Sequence, residues 1–112
     1  FSSTYLADAA ARERTARGLA ASVGRIPAET LARNAAGLRA WSSTRAADLA
    51  AISAPTLVIV AGEDLLTPDG ESVARAIPKA HSVIISGAGH AVTIEAGEAV
   101  ATAIREYVAA VA

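Results

Sequence analysis

The hydrophobic positions of the chain follow two periods, and the change between them falls near Ser53. From Thr4 to about Ser22 the apolar residues Leu6, Ala9, Ala16, Leu19 and Val23 recur at near-helical spacing in an Ala- and Arg-rich stretch, which predicts a helix closed by Gly24 as its C′ residue. Pro27 is suited to the first position of a second helix, whose stripe is Leu31, Ala35, Leu38 and Trp41. Ser42 to Thr44 break that stripe and can cap a short third helix ending near Ala51.

After Pro55 the pattern is of a different kind. "TLVIV" is a continuous run rich in β-branched residues without polar alternation, which predicts a strand covered on both faces in a parallel sheet. Gly62 to Thr67 read as a loop, and Pro68 opens a helix with Asp69 and Glu71 in its first turn, the favourable sign for a helix start. Pro78 stops that helix, and "HSVIIS" is a second buried strand leading into a glycine loop. Val100, Ile104, Tyr107, Val108 and Val111 define an amphipathic terminal helix. The order strand, helix, strand, helix predicts an α/β fold built on a right-handed parallel βαβ unit, preceded by a helical layer. The expected division is 1–52 for the helical segment and 53–112 for the α/β segment, with no repeats and no low-complexity linker. Two apolar parallel strands leave open edges, so self-association or a complementary part is expected.

Composition narrows the partners. At 112 residues and 53% apolar content, the chain suffices for one packed domain, but only 4% of it is aromatic and much of the rest is Ala. The core should be dense and thin. A net charge of -1 and a pI near 6.1 give no basic footprint, so nucleic acid is not an expected partner. Arg12, Arg14 and Arg17 are interleaved with Glu13 and lie near Asp8, which fits a solvated helix face. The most apolar window, "LAAISAPTLVIVAG", is about 14 residues long, against roughly 18 or more for a membrane helix. No membrane partner is expected, no secretory signal is visible, and a cytoplasmic location is the expectation. Absence of cysteine rules out disulfides and a thiolate nucleophile. Without any methionine, a chain beginning at Phe1 is expected to be processed or the tail of something longer.

In open parallel sheets, ligands lie beyond the carboxyl ends of the strands. Asp64 follows the first strand and His90 the second, so neighbouring parallel strands bring both side chains over one edge. A carboxylate that accepts a bond from imidazole Nδ1–H fixes the tautomer and stabilises the imidazolium formed when Nε2 takes a proton. Gly87 and Gly89 would let the backbone turn tightly enough to aim the ring. Singly, each residue has a plainer role: Asp as turn former or helix cap, His as a loop residue. His81 is expected at the surface, and nothing around it has metal-ligand spacing, so neither a metal nor another cofactor is expected. Trp41 either packs on the helical layer or lines a pocket. The Gly87 and Gly89 pair lacks the third glycine and the lysine of a phosphate cradle, which leaves a nucleotide-binding or phospho-acceptor domain using Asp64 a distant option.

The segments "APTLVIVAGEDLLTP", "AIPKAH" and "GAGHAVTIE" resemble the C-terminal part of α/β-hydrolases. The D-x-x-T-P form and the "GAGH" loop are most similar to the 3-oxoadipate enol-lactonase and non-haem haloperoxidase-like branch, and the resemblance covers Asp48 to Tyr107. It implies that residues before Asp48 are helices of a cap. It also implies that Asp64, two residues after Gly62, is the triad acid in preference to its neighbour Glu63, that His90 is the general base, and that Glu95 is structural. Where the family usually has a proline, this chain has Glu95 to Gly97. The implied fold is a partial α/β-hydrolase, and the implied activity is that of a serine esterase or lactonase acting on a small acyl substrate. The nucleophile elbow G-x-S-x-G is missing. "AASVG" fits A-x-S-x-G around Ser22 only formally, since the residues before it are helical and polar, so the nucleophile is expected outside this chain. The alternative is a non-catalytic hydrolase-like module that associates through its exposed sheet edge.

Overall fold

The computed structural model describes residues 1–40 and 46–112. Trp41, expected to end a helical stripe and to pack or line a pocket, and the expected cap at Ser42 to Thr44 lie outside the described residues.

The first helix is divided in two, α1 (Ser3–Ala7) and α2 (Ala9–Val23). Asp8 divides them. Its backbone is extended, and its Oδ1 accepts from the N–H groups of Ala10 and Ala11 at 2.8 and 3.2 Å. A short side-chain acceptor that satisfies the free donors of a new helix competes with continuing the old one. Ser2 starts α1 in the same way, accepting from Tyr5 N–H at 3.1 Å. At the other end of α2, Gly24 remains right-handed (φ -62°) and does not form the left-handed C′ turn that its position suggests. The next helix, α3 (Ala28–Ala40), begins one residue after Pro27, whose carbonyl accepts from Thr30 and Leu31. Its stripe is open to solvent, with Leu31 39% and Leu38 69% exposed. A single turn, α4 (Ala46–Leu49), leads to the α/β segment.

There, β1 (Thr56–Ala61) and β2 (Ala80–Ile85) pair in parallel, from Thr56 opposite Ala80 to Ala61 opposite Ile85. The crossover helix α5 (Gly70–Ala76) starts two residues after Pro68, with Asp69 at its N-cap, and ends just before Pro78. A short helix α6 (Val92–Glu95), which the sequence pattern does not predict, follows the glycine loop and precedes α7 (Gly97–Val111).

The buried apolar residues are few and mostly small: Ala11, Ala74, Ile77, Ala88, Val100 and Ala103. Neither strand is covered on both faces. β1 is half-buried along its whole length, and β2 is half-buried at Ala80, Val83 and Ile85 and exposed at the other three positions, because the sheet among the described residues has only these two strands. α7 turns Val100 and Ala103 inward and leaves Ile104, Val108 and Val111 about half exposed. Tyr107, half-buried, stacks on the ring of His81 at 6.0 Å. The result is a mixed α/β unit with a small parallel sheet, and both strands deliver their carboxyl ends to one rim.

Candidate active site

At that rim the pairing of the strands continues into their loops. Gly62 N–H donates to Ile85 C=O at 2.9 Å, and Glu63 N–H donates to Ala88 C=O at 2.8 Å. A Cβ at Gly62 would stand 3.2 Å from both Ile85 O and Ser86 Cα, tighter than ordinary contact, so the two loops approach closely beside a residue without a side chain. Gly87 takes the left-handed conformation (φ +73°) that turns the second loop back.

Asp64 occupies the space these contacts enclose. Its Oδ1 accepts from Leu66 N–H at 2.8 Å and Thr67 N–H at 3.0 Å, and its Oδ2 accepts from Thr67 Oγ1 at 2.5 Å. His90 Nδ1 lies 2.9 Å from Oδ2 and 3.1 Å from Oδ1. An ionised carboxylate only accepts, so Nδ1 carries the proton and Nε2 is left with its lone pair. The Asp64 side chain is 9% exposed, and that of His90 is 51% exposed. The Thr67 hydroxyl foremost holds the Asp64 carboxyl well below the usual carboxylate range. Burial pushes the other way and is outweighed when the amides of Thr67 and Leu66 and the His90 contact are added. The carboxylate therefore stays charged at neutral pH. This is an oriented ring with an anion behind it, able to accept a proton at Nε2 and to return it.

Both residues singled out at the strand ends are thus brought together, and the neighbouring Glu63 is exposed. The sequence reading missed Thr67. Its signal lay in the spacing, since a threonine three residues after an aspartate is the pattern in which side chain and backbone close a local turn. Glu95, expected to be structural, is 2% exposed, and its Oε2 accepts from Ser2 N–H at 2.9 Å and Gly89 N–H at 3.0 Å. Burial pushes this carboxyl up, but the hydrogen bonds from Ser2 and Gly89 outweigh it and hold the group below its ordinary value. Ser22 lies in the last turn of α2, in no strand-to-helix elbow. It contributes to an open groove of about 830 Å³ bounded by α1, α2 and α6, with Tyr5, Arg14, Thr15, Leu19 and Ile94 among its walls. Among the described residues no three His, Cys, Asp or Glu side chains are grouped to hold a metal ion, and no helix is long and apolar enough to cross a membrane.

Residues 2–103 match the sequence model of the alpha/beta hydrolase family. BpoC of Mycobacterium tuberculosis, described as a non-heme bromoperoxidase, is similar over 100% of this chain at 32% identity with a TM-score of 0.78. A thermophilic esterase from Thermogutta terrifontis, solved with malate bound, is similar over 60% of this chain at 40% identity with a TM-score of 0.57. The chain spans 41% of the length of the first and 25% of the second. No curated protein matches it.

Proposed function

The chain belongs to the alpha/beta hydrolase family, and from that premise we propose that it is the C-terminal part of a serine hydrolase acting on an ester, lactone or related acyl substrate. In this reading residues 1–52 are part of a cap and residues 53–112 are the end of the catalytic core. Asp64 and His90 are the acid and base of the triad, and the nucleophilic serine lies outside this chain. The observation that carries the proposal is the bond from His90 Nδ1 to a carboxylate that three further hydrogen bonds, from Leu66 N–H, Thr67 N–H and the Thr67 hydroxyl, keep ionised and aimed.

The chemistry follows from that geometry. As the serine Oγ adds to the acyl carbon, His90 Nε2 takes its proton, and the Asp64 anion stabilises the imidazolium. The imidazolium then gives the proton to the departing alkoxide, leaving an acyl-serine. Water repeats the sequence, with His90 again taking and returning the proton, and the acid is released. Thr67 acts through Asp64, since its hydroxyl occupies a lone pair that would otherwise be free to take a proton.

Two measurements test the proposal. Treated with a serine-reactive fluorophosphonate, this chain alone should remain unlabelled, Ser22 included, and labelled Ser22 would overturn the placement of the nucleophile. In the longer protein carrying the complementary serine, turnover of p-nitrophenyl acetate should fall by about 10⁴-fold for Asp64→Asn and by at least as much for His90→Ala. Turnover that survives either substitution would remove these residues from the mechanism.

A further inference from the structure

His90 is oriented by Asp64 at its ring, but the backbone that aims the ring needs its own restraint. The loop after β2 has few such restraints, since Gly87 and Gly89 supply freedom and no side-chain anchors. The carboxylate of Glu95 fills that role. Its Oε2 takes the N–H of Gly89, the residue directly before His90, and the N–H of Ser2, 93 positions earlier in the chain. The residue after His90 is tied to the same place, because Ala91 C=O accepts from Ile94 N–H at 2.8 Å and from Glu95 N–H at 3.0 Å. Both chain neighbours of His90 are therefore fixed by the one turn that ends in Glu95.

The packing around this point is as tight as the bonding. A Cβ on Gly89 would stand 2.5 Å from Ser2 N and 2.7 Å from Phe1 C, so the backbone preceding α1 lies directly against the residue before His90. A carboxylate with 2% exposure has lost its water and must be offset by donors. Two amides provide them at one oxygen, while Oε1 is buried without a hydrogen-bond partner, 3.8 Å from the amino nitrogen of Phe1. Such a group is costly as mere filler, and its two amide bonds join the start of the helical segment to the histidine loop.

We propose that Glu95 is a positioning residue for His90: by clamping Gly89 and Ser2 on one buried oxygen it fixes the histidine backbone and transmits the placement of the α1 segment to the ring. The inference rests on the reading of His90 as the proton-transfer residue. It gives Glu95 a role in orientation, beyond holding the fold together.

The test is nitrogen NMR of the imidazole in the ¹⁵N-labelled chain, with exchange of the Gly89 amide read alongside. The wild-type neutral ring should show the Nδ1–H form, held by Asp64. Glu95→Ala should shift the ring nitrogens toward the tautomer mixture of a free imidazole and speed Gly89 amide exchange by about tenfold or more, the loss expected for a hydrogen bond to a charged acceptor. Glu95→Gln, which keeps the acceptor oxygen and loses the charge, should fall between. A folded Glu95→Ala protein with wild-type ring nitrogens would reduce Glu95 to a structural residue and overturn the proposal. Should Glu95→Ala not fold, Glu95→Gln decides in the same way: a ring shifted part of the way supports positioning, and an unchanged ring overturns it. Failure of the underlying reading looks different, since the wild-type ring itself would then show no Nδ1–H preference.

Discussion

Gly89→Ala is the substitution whose effect the geometry specifies most closely. The new methyl carbon would lie 2.5 Å from Ser2 N and 2.7 Å from Phe1 C, and ordinary contact begins at 3.4 Å, so the backbone at residues 1 and 2 must retreat by about 0.9 Å. That backbone is held by the 2.9 Å bond from Ser2 N–H to Glu95, and a retreat along its direction carries it to about 3.8 Å, outside hydrogen-bond reach. Overpacking of this sort costs about 1–3 kcal/mol, and a weakened bond to a charged acceptor about 1.5–3 kcal/mol. The two share one displacement and are not additive, so the expected loss is about 2–4 kcal/mol. Urea unfolding followed by circular dichroism should show it as a midpoint lowered by about 1–3 M. Gly37→Ala is the control, since its Cβ meets nothing within 4 Å on an exposed turn of α3, and Ala is the better helix former by about 1 kcal/mol. A Gly89→Ala protein within about 0.5 kcal/mol of wild type would show that the chain start does not pack against the histidine loop.

The acid limb of stability should carry the signature of Asp64. Its carboxyl lies below the unfolded value of about 3.9, so its contribution is fully present above that value and is lost as pH falls through the folded one. The difference in urea midpoint between wild type and Asp64→Asn should therefore narrow as pH is lowered from about 5 to about 2, and a constant difference would refute the assignment. Association is the second expectation. The chain exposes 7898 Å², whereas a compact protein of 11.2 kDa exposes about 5,700 Å², an excess on the scale of a substantial interface. Sedimentation should find assemblies that Ile104→Lys with Val108→Lys disperses, and a monomer at every concentration would count against an associating face.

The sequence made the strands and the rim legible because those signals are local. β-branched runs bounded by proline and glycine read as strands, and Asp64 and His90 lie only three and five residues past the ends of the two. The errors came where tertiary context or a competing side chain decided. Asp8 broke a helix whose apolar spacing ran straight through it, because its carboxylate caps a new start at that point. In α7 the expected stripe is buried only at Val100 and half-buried at Tyr107, and the buried Ala103 lies outside it. Val100 and Ala103 are buried, whereas the larger Ile104, Val108 and Val111 stay about half exposed, because a two-stranded sheet is too narrow to cover the whole apolar face of the helix. Covered strands were expected for the same reason, as an apolar run reports what a strand is suited to touch and cannot report whether the touching surface is present.

That difference bears on the site. The contacts that set the Asp64 and His90 geometry are two loop-to-loop backbone bonds, the turn from Asp64 to Thr67, and the Glu95 clamp, of which only the clamp reaches far along the chain, to Ser2. None of them needs a third strand. The thin core and exposed apolar faces mean that stability leans on whatever covers them, whereas the orientation of the imidazole is specified within residues 62–95 and the first two residues of the chain. A complementary part would add burial and, on the proposed reading, the serine, and it would meet a base already holding the right tautomer. Orientation built into the contributing piece lowers the entropic cost of assembling a catalytic group from separate parts of a fold. For that reason the ring nitrogens of the chain by itself, before any partner is added, are the most direct measure of how much of the chemistry this segment carries.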